Sequence, residues 1–510
     1  MTNLAINIGA SSAASTWDNI NWLEIEKFVY RLQMRIAKAR RQKCYGKVKA
    51  LQWLLTHSLA AKLVAVKKVT SSKGARTPGI DGKLYKASSS KLKLALSLKS
   101  KSYKETPLKR INIPKKNGKK RPLGIPTLYD RSMQCLYLLA LEPIAEMQAD
   151  HNSYGFRPHR SVADAIEQTF KALSGKNHAH WILEGDIKSC FDKLSHEWLL
   201  NNVCIDKKIL RQWLKAGLME NQTIFATTEG TPQGGICSPV LANLALDGLE
   251  KAITQVGRTK TGRIKTRPKV HFIRYADDFI VTGSCREQLE TEIKPIIASF
   301  LAERGLALSD EKTQVTHIDQ GFDFLGFNVR KYRGKLLIKP SKDSIKSFLA
   351  KVREVFKTNK TATAAEIIKQ LNPKIIGWAN FYSTSVAKQA YSYVDNAIFL
   401  AISRWTRRRH NNKNMNWIRK KYFHRKGRDN WVFFSTEKRK NGETKTIDLV
   451  NAISIETKLH LKVKMKARAY DPKYENYFRD RKQTRHVRDN KPYHYHVLSK
   501  LDLFDEKHWR

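Results

Sequence analysis

The stretch Arg274-Tyr275-Ala276-Asp277-Asp278-Phe279 places two adjacent carboxylates between apolar residues that favour strands. Residues 270–273 and 279–281 predict two short strands, with the acids at the turn between them. Like charges this close repel each other, and burial raises the pKa of one of them. Mg²⁺ removes the conflict, because it binds one or two carboxylates together with water and phosphate oxygens. A solvated turn is the alternative, since Asp is common in turns for local reasons.

A third acid favours the metal site over the solvated turn. Asp186 ends the largely apolar run Trp181–Gly185. This run predicts a strand, and a helix is expected to begin near Ser195 with Glu197 in its first turn. A carboxylate at the end of that strand completes a site for two cations about 3.5–4 Å apart, which clamp the attacking and leaving oxygens.

The composition is strongly basic, with 95 Lys and Arg residues against 46 acids and a formal net charge of +49 over 510 residues. An excess of this size predicts a large polyanion as partner and steeply salt-dependent binding. An anionic membrane is the competing partner. No apolar stretch approaches the roughly 20 residues of a membrane span, and the basic residues do not share one amphipathic helix. We therefore expect nucleic acid and no membrane.

The six cysteines are scattered and lack Cys-x-x-Cys spacing. This pattern argues against a disulfide framework or a zinc site and fits a reducing compartment. The N-terminal residues lack the basic start and apolar core of a signal peptide.

Local patterns predict several further elements. Asn117-Gly118 is typical of a hairpin turn, so the basic segment around it is predicted to be a β-hairpin. Residues 289–303 predict a helix that ends at Gly305, and residues 322–327 predict one strand. Beyond residue 425 the chain becomes more polar, and we expect it to be loop-like.

Three motifs in this order resemble those of reverse transcriptases: Asp186–Asp192 (D-x-x-x-x-F-D), Thr231–Pro239 and Tyr275–Asp278. The ordered set is far more specific than any single motif.

Downstream blocks are similar to the maturase (X, or thumb) domain of group II intron-encoded proteins: Ile375–Ser383, Arg404–His410 and Trp417–Tyr422. The loop Pro78–Gly82 matches their N-terminal extension. Many members end in a zinc-dependent HNH endonuclease with cysteine pairs, whereas no cysteine follows Cys285 here. We therefore expect a member that lacks the endonuclease, or a chain from which the endonuclease has been removed.

The resemblance implies an α+β chain with a right-hand polymerase fold, in which fingers and an antiparallel palm sheet precede an α-helical thumb/maturase (X) domain. We expect a basic, mostly helical N-terminal extension over residues 1–90, with fingers and palm over 91–335. The thumb/maturase domain then covers 336–425, and a basic DNA-binding region without an endonuclease covers 426–510.

The resemblance also implies two activities. The first is RNA-directed DNA polymerisation, used for target-primed reverse transcription in retrohoming. The second is a maturase function, in which the protein binds its intron RNA and assists splicing and reverse splicing. The expected partners are intron RNA in a ribonucleoprotein, target DNA, an RNA template with a DNA primer, and deoxynucleoside triphosphates. We expect a bacterial, cytoplasmic protein that is associated with the nucleoid as a ribonucleoprotein.

The polymerase reaction implied is attack of a primer 3′-hydroxyl on the α-phosphate of a deoxynucleotide. Asp186, Asp277 and Asp278 would hold two Mg²⁺ ions, and the family pattern adds the backbone carbonyl of Ile187 as a ligand.

Further residues are expected to face the incoming nucleotide. Lys115 and Arg121 would contact its phosphates, and Gln233 would lie beside it. Lys312 would protonate the pyrophosphate, with an ordinary surface lysine as the alternative. Phe191 stands where the family carries an aromatic gate against the ribose 2′-hydroxyl, and a core aromatic is the alternative.

A dense set of basic residues in the maturase region predicts contacts with RNA phosphates. These residues are Arg404, Arg407, Arg408, Arg409, Lys413, Lys420 and Lys421. For Trp405 and Trp417 we favour packing over base stacking, since aromatics at helical spacing are usually core residues.

Two other functions fit parts of the pattern. A splicing cofactor with little polymerase activity is one, although the three intact aspartates argue against it. The other is the reverse transcriptase of a retron, a diversity-generating element or a CRISPR-linked system, which the maturase-like blocks disfavour.

Overall fold

The computed structural model describes residues 17–114, 118, 120–220, 223–227, 229–231, 234–255, 269–427, 429–438 and 442–488. The chain forms two compact units. The first holds the described residues up to Gln168, then Trp181–Val315 and Val463–Asp480. The second holds the described residues of Thr169–His180, Thr316–Lys462 and 481–488.

The helices of the described residues are α1 (Trp22–Arg41), α2 (Tyr45–His57), α3 (Leu59–Ser71), α4 (Ser88–Ser97), α5 (Leu128–Gln148), α6 (Val162–Leu173), α7 (Cys190–Lys193), α8 (His196–Asn202), α9 (Lys207–Lys215), α10 (Ser238–Leu246), α11 (Leu249–Thr254), α12 (Lys294–Ala302), α13 (Lys342–Thr358), α14 (Ala364–Tyr382), α15 (Lys388–Arg409), α16 (Met415–Tyr422) and α17 (Glu475–Arg488). A π-helical turn, Gln288–Ile293, leads into α12. In the part of the chain that the structure describes, none of the helices is long and apolar enough to cross a bilayer.

The strands are β1 (Leu108–Pro114), β2 (Lys120–Ile125), β3 (Trp181–Asp186), β4 (Leu218–Glu220), β5 (Thr223–Phe225), β6 (Phe272–Tyr275), β7 (Asp278–Gly283), β8 (Gln314–His317), β9 (Phe322–Phe324), β10 (Phe327–Tyr332), β11 (Lys335–Pro340), β12 (Phe423–Lys426), β13 (Asp429–Lys438) and β14 (Thr444–Asp448). They form four sheets with the orders β2-β1-β4-β5, β6-β7-β3-β8, β11-β10-β9 and β12-β13-β14.

The sheet β6-β7-β3-β8 is the palm sheet, and its strands β6, β7 and β3 carry buried apolar residues. Ile182, Leu183, Ile273 and Phe279 are all buried. Helices therefore have to cover it, which gives the first unit a core that runs from α1 to α12.

The N-terminal helices follow the period that the sequence predicts. In α1 the residues Ile25, Val29, Leu32 and Ile36 are buried at intervals of one helical turn. Basic residues occupy the last turn, where they also complement the helix dipole.

The basic hairpin is confirmed, because β1 and β2 pair antiparallel with Pro114 opposite Lys120. Lys115 and Asn117 lie outside the described residues. β1 also pairs with β4 in parallel, which ties the hairpin to the rest of the first unit.

The segment 322–327 is not one strand, contrary to the prediction. β9 and β10 pair antiparallel with Phe324 opposite Phe327, so Leu325-Gly326 forms a two-residue turn. Both turn residues have positive φ, +52° for Leu325 and +84° for Gly326, as tight hairpins require. The apolar leucine conceals this turn in the sequence.

The expectation of loop-like structure beyond residue 425 is also wrong. β13 pairs with β12 on one side and β14 on the other, and the sheet crosses the predicted boundary at 425/426. The β-branched and aromatic residues of Trp431–Phe434 favour a strand, and Val432 and Phe433 are both buried.

The return segment, Val463–Asp480, lies in the first unit although it follows the second in sequence. The backbone N–H of Val463 donates to Asp164 at 2.8 Å, and Arg160 donates to the carbonyls of Met465 and Ala467 at 3.1 Å. Arg41 of α1 donates to both carboxylate oxygens of Asp471 at 3.0 Å.

Candidate active site

The three predicted aspartates lie at one end of the palm sheet. β3 and β7 pair antiparallel with Asp186 directly opposite Asp278. β6 and β7 pair with Tyr275 opposite Asp278, so Ala276 and Asp277 are the two residues of the hairpin turn. Residues directly opposite each other in such a ladder have Cβ atoms roughly 4.5–5.5 Å apart. The predicted strands and turn are therefore confirmed, and they bring the aspartate backbones together.

Arg274 supports this turn through hydrogen bonds, and its side chain is fully buried. Its guanidinium donates to Asp247 at 2.6 Å, to Asn243 at 3.0 Å and to the carbonyl of Ala276 at 3.3 Å. Ala276 has φ +59°, which is unusual for a residue with a Cβ atom. The hydrogen bond from Arg274 to the carbonyl of Ala276 helps to hold Ala276 in this conformation.

Two glycines allow close packing at the turn. A Cβ on Gly155 would lie 2.3 Å from the backbone N of Ala276. A Cβ on Gly185 would lie 2.2 Å from the ring of Phe279, the residue opposite it in the ladder. A side chain at position 155 would therefore have to displace the backbone of the turn, and one at position 185 would have to displace the Phe279 ring.

The electrostatics of the aspartates are those of a crowded acidic site. Burial, together with the charges of Asp277 and Asp186, raises the pKa of Asp278 to about 6. Lys312 Nζ lies 2.8 Å from a carboxylate oxygen of Asp186. This hydrogen bond raises the pKa of Lys312, so the ammonium group stays charged at neutral pH. The structure thus places Lys312 at the site, as the sequence predicts.

The described residues contain no group of three or more His, Cys, Asp or Glu side chains in the geometry of a ready-made metal cage. The donor set nevertheless suits Mg²⁺, which uses one or two carboxylates and completes its shell with water and substrate phosphates. Charge repulsion at Asp278 is the kind of conflict that a divalent cation relieves.

The carbonyl of Ile187 is compatible with the role that the resemblance implies. Ile187 forms an isolated antiparallel bridge with Leu308. The hydrogen bonds of this bridge run from Ser309 to the carbonyl of Asp186 and from Lys188 to the carbonyl of Ala307. The bridge therefore does not use the carbonyl of Ile187.

Phe191 lies in the short helix α7 and is half-buried, so it is not a member of the hydrophobic core. Its ring contacts Phe156 edge to face, with 6.5 Å between centroids. Its carbonyl accepts a hydrogen bond from the backbone N–H of Thr231 at 2.6 Å. The first turn of the Thr231–Pro239 motif is thus anchored to the residue predicted as gate.

The same motif also contacts the hairpin. A Cβ on Gly234 would lie 2.6 Å from the carbonyl of Gly124 in β2. The backbone N–H of Ile236 donates to Gln134 of α5 at 2.8 Å. Gln233 lies outside the described residues, and Arg121 is opposite Ile113 in the hairpin but its side chain is not described.

Sequence reasoning missed the residues that support the site. Arg274 is a charged residue inside an apolar strand, which signals a buried partner. That signal does not say which residues are the partners. They are Asn243 of α10 and Asp247, the residue that follows α10.

All seven predicted RNA-binding residues are exposed in the second unit, around the end of α15 and along α16. Trp405 and Tyr422 are buried, which confirms packing for Trp405. Trp417 is half-buried, and the ammonium groups of Lys413 and Lys421 lie 5.6 and 4.6 Å from the centre of its ring.

Three family profiles match the chain. "Reverse transcriptase (RNA-dependent DNA polymerase)" matches residues 113–329, "N-terminal domain of reverse transcriptase" matches 17–98, and "Group II intron, maturase-specific domain" matches 345–423. The polymerase fold expected for the first unit is thereby confirmed.

Two curated proteins and one solved structure are similar to this chain. Protein YkfC of Escherichia coli (strain K12) is 35% identical over 309 residues, which are 53% of this chain and 80% of YkfC. Group II intron-encoded protein LtrA of Lactococcus lactis subsp. cremoris is 31% identical over 409 residues, which are 62% of this chain and 68% of LtrA. Telomerase from Candida albicans aligns with a TM-score of 0.36 and 12% identity over 61% of this chain and 62% of that chain, a score too low to support an argument.

The palm geometry, the order of the three matched domains and the similarity to LtrA agree with one another. The chain belongs to the family of group II intron-encoded proteins that join an RNA-directed DNA polymerase to a maturase domain.

Proposed function

We propose that the first unit copies RNA into DNA at the site formed by Asp186, Asp277 and Asp278. The observation that carries the proposal is the ladder that sets Asp186 opposite Asp278 with Asp277 in the adjoining turn. In the reaction, the primer 3′-oxygen forms a bond to the α-phosphorus of a deoxynucleotide, and the bond to pyrophosphate breaks.

The three aspartates and the carbonyl of Ile187 would hold two Mg²⁺ ions. When bound, the ions would activate the primer hydroxyl and neutralise charge on the triphosphate. Reverse transcription depends on a divalent metal. We propose that this metal is Mg²⁺ and that two ions bind.

Lys312 places a positively charged side chain beside Asp186. Its ammonium group is hydrogen-bonded to Asp186 and remains protonated at neutral pH. It therefore holds a proton that the leaving pyrophosphate can accept. Phe191 is proposed as the gate that excludes a 2′-hydroxyl, while Lys115, Arg121 and Gln233 are proposed to contact the nucleotide.

The basic surface at the end of α15 and along α16, within the predicted thumb/maturase domain, is proposed to bind the intron RNA and to assist its splicing and reverse splicing. The supporting observation is the exposure of the seven basic residues, which are suited to phosphate contacts. Target DNA is the proposed partner of residues 426–510. We also propose the division of the chain into 1–90, 91–335, 336–425 and 426–510. The sheet β12-β13-β14 spans the last of these boundaries.

The test is the double substitution Asp277→Asn plus Asp278→Asn in the full chain. We expect primer extension on an RNA template to be abolished, because the carboxylates serve the metal ions, and intron RNA binding to be retained. The matched control, Asp310→Asn plus Glu311→Gln, removes two adjacent exposed acids and should extend primers normally. Substantial extension by the first variant would refute the assignment, and loss of RNA binding would refute the division of labour.

A further inference from the structure

A stripe of exposed residues runs along α2 of the N-terminal region. It consists of Tyr45, Lys49, Trp53 and His57, which recur every four residues. Residues at this spacing share one face of a helix and lie about 6 Å apart along its axis. The opposite face of α2 is buried in the core of the first unit.

The aromatic residues of the stripe are unusually accessible. Trp53 is 61% exposed and Tyr45 is 52% exposed. The Trp53 ring stacks on the His57 ring with 4.4 Å between centroids and 20° between planes. The imidazole is held by the carbonyl of Trp53 and by Ser100. The stack is therefore a rigid platform with one indole face toward solvent.

A cavity of about 610 Å³ opens beside this stripe. Its wall comprises the four residues of the stripe together with Arg40, Gln52, Thr56, Tyr137, Ala140, Gln148 and residues 201–207. A cavity of this volume falls in the range that accommodates a small organic ligand.

The charge of the cavity is positive. Arg40, Lys49 and Lys207 line it, against Asp206. The Asp206 carboxylate is engaged in capping α9, where it accepts from the backbone N–H groups of Lys208 and Ile209 at 2.8 and 3.4 Å. Burial lowers the pKa of Lys207, whose ammonium group donates to the carbonyls of Leu200 and Val203.

Arg40 provides a second, independent indication of a ligand. Its guanidinium lies 5.0 Å from the centre of the Tyr45 ring. Its Nε–H is buried and has no acceptor among the described residues. A buried donor without an acceptor is costly unless something else meets it, and an anion at the cavity would supply that acceptor.

We propose that this cavity binds an unstacked nucleotide of single-stranded RNA, with the base on Trp53 and the adjoining phosphates at Arg40 and Lys49. The chemistry is that of single-strand recognition in general, in which bases stack on aromatic faces and cations track the backbone. The inference rests on the proposed function in one respect, namely that the chain works on RNA.

A protein partner is the competing occupant of an exposed aromatic surface. The cavity disfavours it, because three cations line the wall while its one carboxylate caps a helix. A polyanion satisfies these cations directly, whereas a protein would have to present an acidic segment of matching shape.

The experiment uses the full chain and a fluorescent octamer of single-stranded RNA that carries one 4-thiouridine. Because bases stack on aromatic rings in single-strand recognition, Trp53→Ala should weaken binding of the octamer about tenfold. Photo-crosslinking to the peptide around Trp53 should be lost, and Trp53→Phe should keep most of both. Lys49→Glu should weaken binding and flatten its dependence on salt.

Two matched controls separate the site from the basic surface as a whole. Leu54→Ala changes an exposed apolar residue next to Trp53. Lys47→Glu reverses an exposed charge outside the cavity. Both variants should bind and crosslink the RNA as the unmodified protein does. Primer extension on a preassembled template should be normal in Trp53→Ala, which separates failure here from failure of the aspartate assignment.

Absence of a crosslink to α2 in the unmodified protein would overturn the proposal. Equal affinity of Trp53→Ala and Leu54→Ala for the octamer would also overturn it, provided that both variants have the melting temperature of the unmodified protein. Loss of binding in Trp53→Ala with retention in Trp53→Phe would support it, even if the alanine variant is less stable.

Discussion

Arg274 lies beneath the acidic turn, where its guanidinium reaches Asp247, Asn243 and the carbonyl of Ala276. Burial raises the pKa of Asp247 to about 6, although the charge of Arg274 opposes the rise. Removing either partner would leave the other charge buried and unpaired, which is far more costly than losing a surface ion pair. The acidic turn therefore depends on a buried residue that is not one of the three aspartates.

A second buried pair, Glu146 with Arg157, allows a prediction on stability. Two guanidinium nitrogens of Arg157 donate to the two carboxylate oxygens at 2.7 and 3.0 Å, and both side chains are almost fully buried. Glu146→Gln should lower the free energy of unfolding by about 3–5 kcal/mol, because the guanidinium loses its counter-charge. Denaturant unfolding measures this. Glu290→Gln, which breaks the exposed pair with Arg286, should cost at most about 1 kcal/mol.

The same pair predicts a dependence on pH. Burial raises the pKa of Glu146, but the charge and hydrogen bonds of Arg157 outweigh it and hold the pKa below 4.5. An acid with a lowered pKa in the folded state contributes stability above its unfolded pKa, and this is lost as the pH falls through the folded value. Below pH 4.5, the unmodified protein should therefore lose stability more steeply than Glu146→Gln. Parallel curves would contradict the assignment.

Phe191 gives a prediction on selectivity. Its ring is half-buried beside Phe156 rather than in the core, as a gate requires. Phe191→Ala should raise ribonucleotide incorporation relative to deoxyribonucleotide incorporation, since the ring would exclude the 2′-hydroxyl. Single-nucleotide extension with each substrate measures the ratio. Phe170→Ala, at an exposed phenylalanine of α6, should leave it unchanged. An unchanged ratio in Phe191→Ala with activity retained would reject the gate.

Elements that depend on local pattern were predictable, and those that depend on distant contacts were not. The strands around Asp186 and Asp277 follow from short apolar runs that end in acids, and the structure confirms them. The turn at Leu325 was hidden, because the left-handed conformation of a leucine is set by packing rather than by its own preference. β13 was missed because polar residues flank its short aromatic run, although its partners β12 and β14 are its neighbours in the chain.

At the end of α15, the run Arg407, Arg408 and Arg409 leads to a prediction on RNA binding. Replacing all three with Ala should weaken intron RNA binding and reduce its salt slope by up to about three phosphate contacts. Arg409 also donates to the carbonyl of Ala362 at 2.5 Å, so part of the loss will be structural. A variant that changes only Arg407 and Arg408 removes this contribution. Primer extension on a generic template should fall less than RNA binding.

A charge-matched control for this experiment is Lys351→Ala plus Arg353→Ala in α13, where both residues are exposed. We expect this variant to change RNA binding less than the α15 variant does. If the salt slope of the α15 variant is unchanged while primer extension collapses, then these arginines belong to the template channel and not to the maturase surface.

At the scale of the whole chain, the return segment makes the polymerase unit discontinuous. Tyr470 is part of that segment, has φ +63°, and packs 5.9 Å from Tyr30 of α1. Its hydroxyl donates to the carboxylate of Glu142. Tyr470→Ala should therefore destabilise the first unit by on the order of 2 kcal/mol, through lost packing and a lost hydrogen bond. Lys466→Ala changes an exposed residue of the same segment and should be neutral.

Thermal unfolding followed by primer extension on preheated samples measures this effect. Polymerase activity of Tyr470→Ala should be lost at a lower temperature than that of Lys466→Ala. Equal inactivation temperatures would show that the return segment contributes nothing to the first unit.

Because a ribosome makes this chain from its N-terminus, residues 316–462 emerge before Val463–Asp480, which the polymerase unit needs to complete its contacts. Translation proceeds at about 5–20 residues per second, so the aspartates of the palm are synthesised well before their scaffold is finished. A nascent chain released early would carry the maturase region but an incomplete polymerase. The order of synthesis thus delays completion of the first unit until Val463–Asp480 has been made.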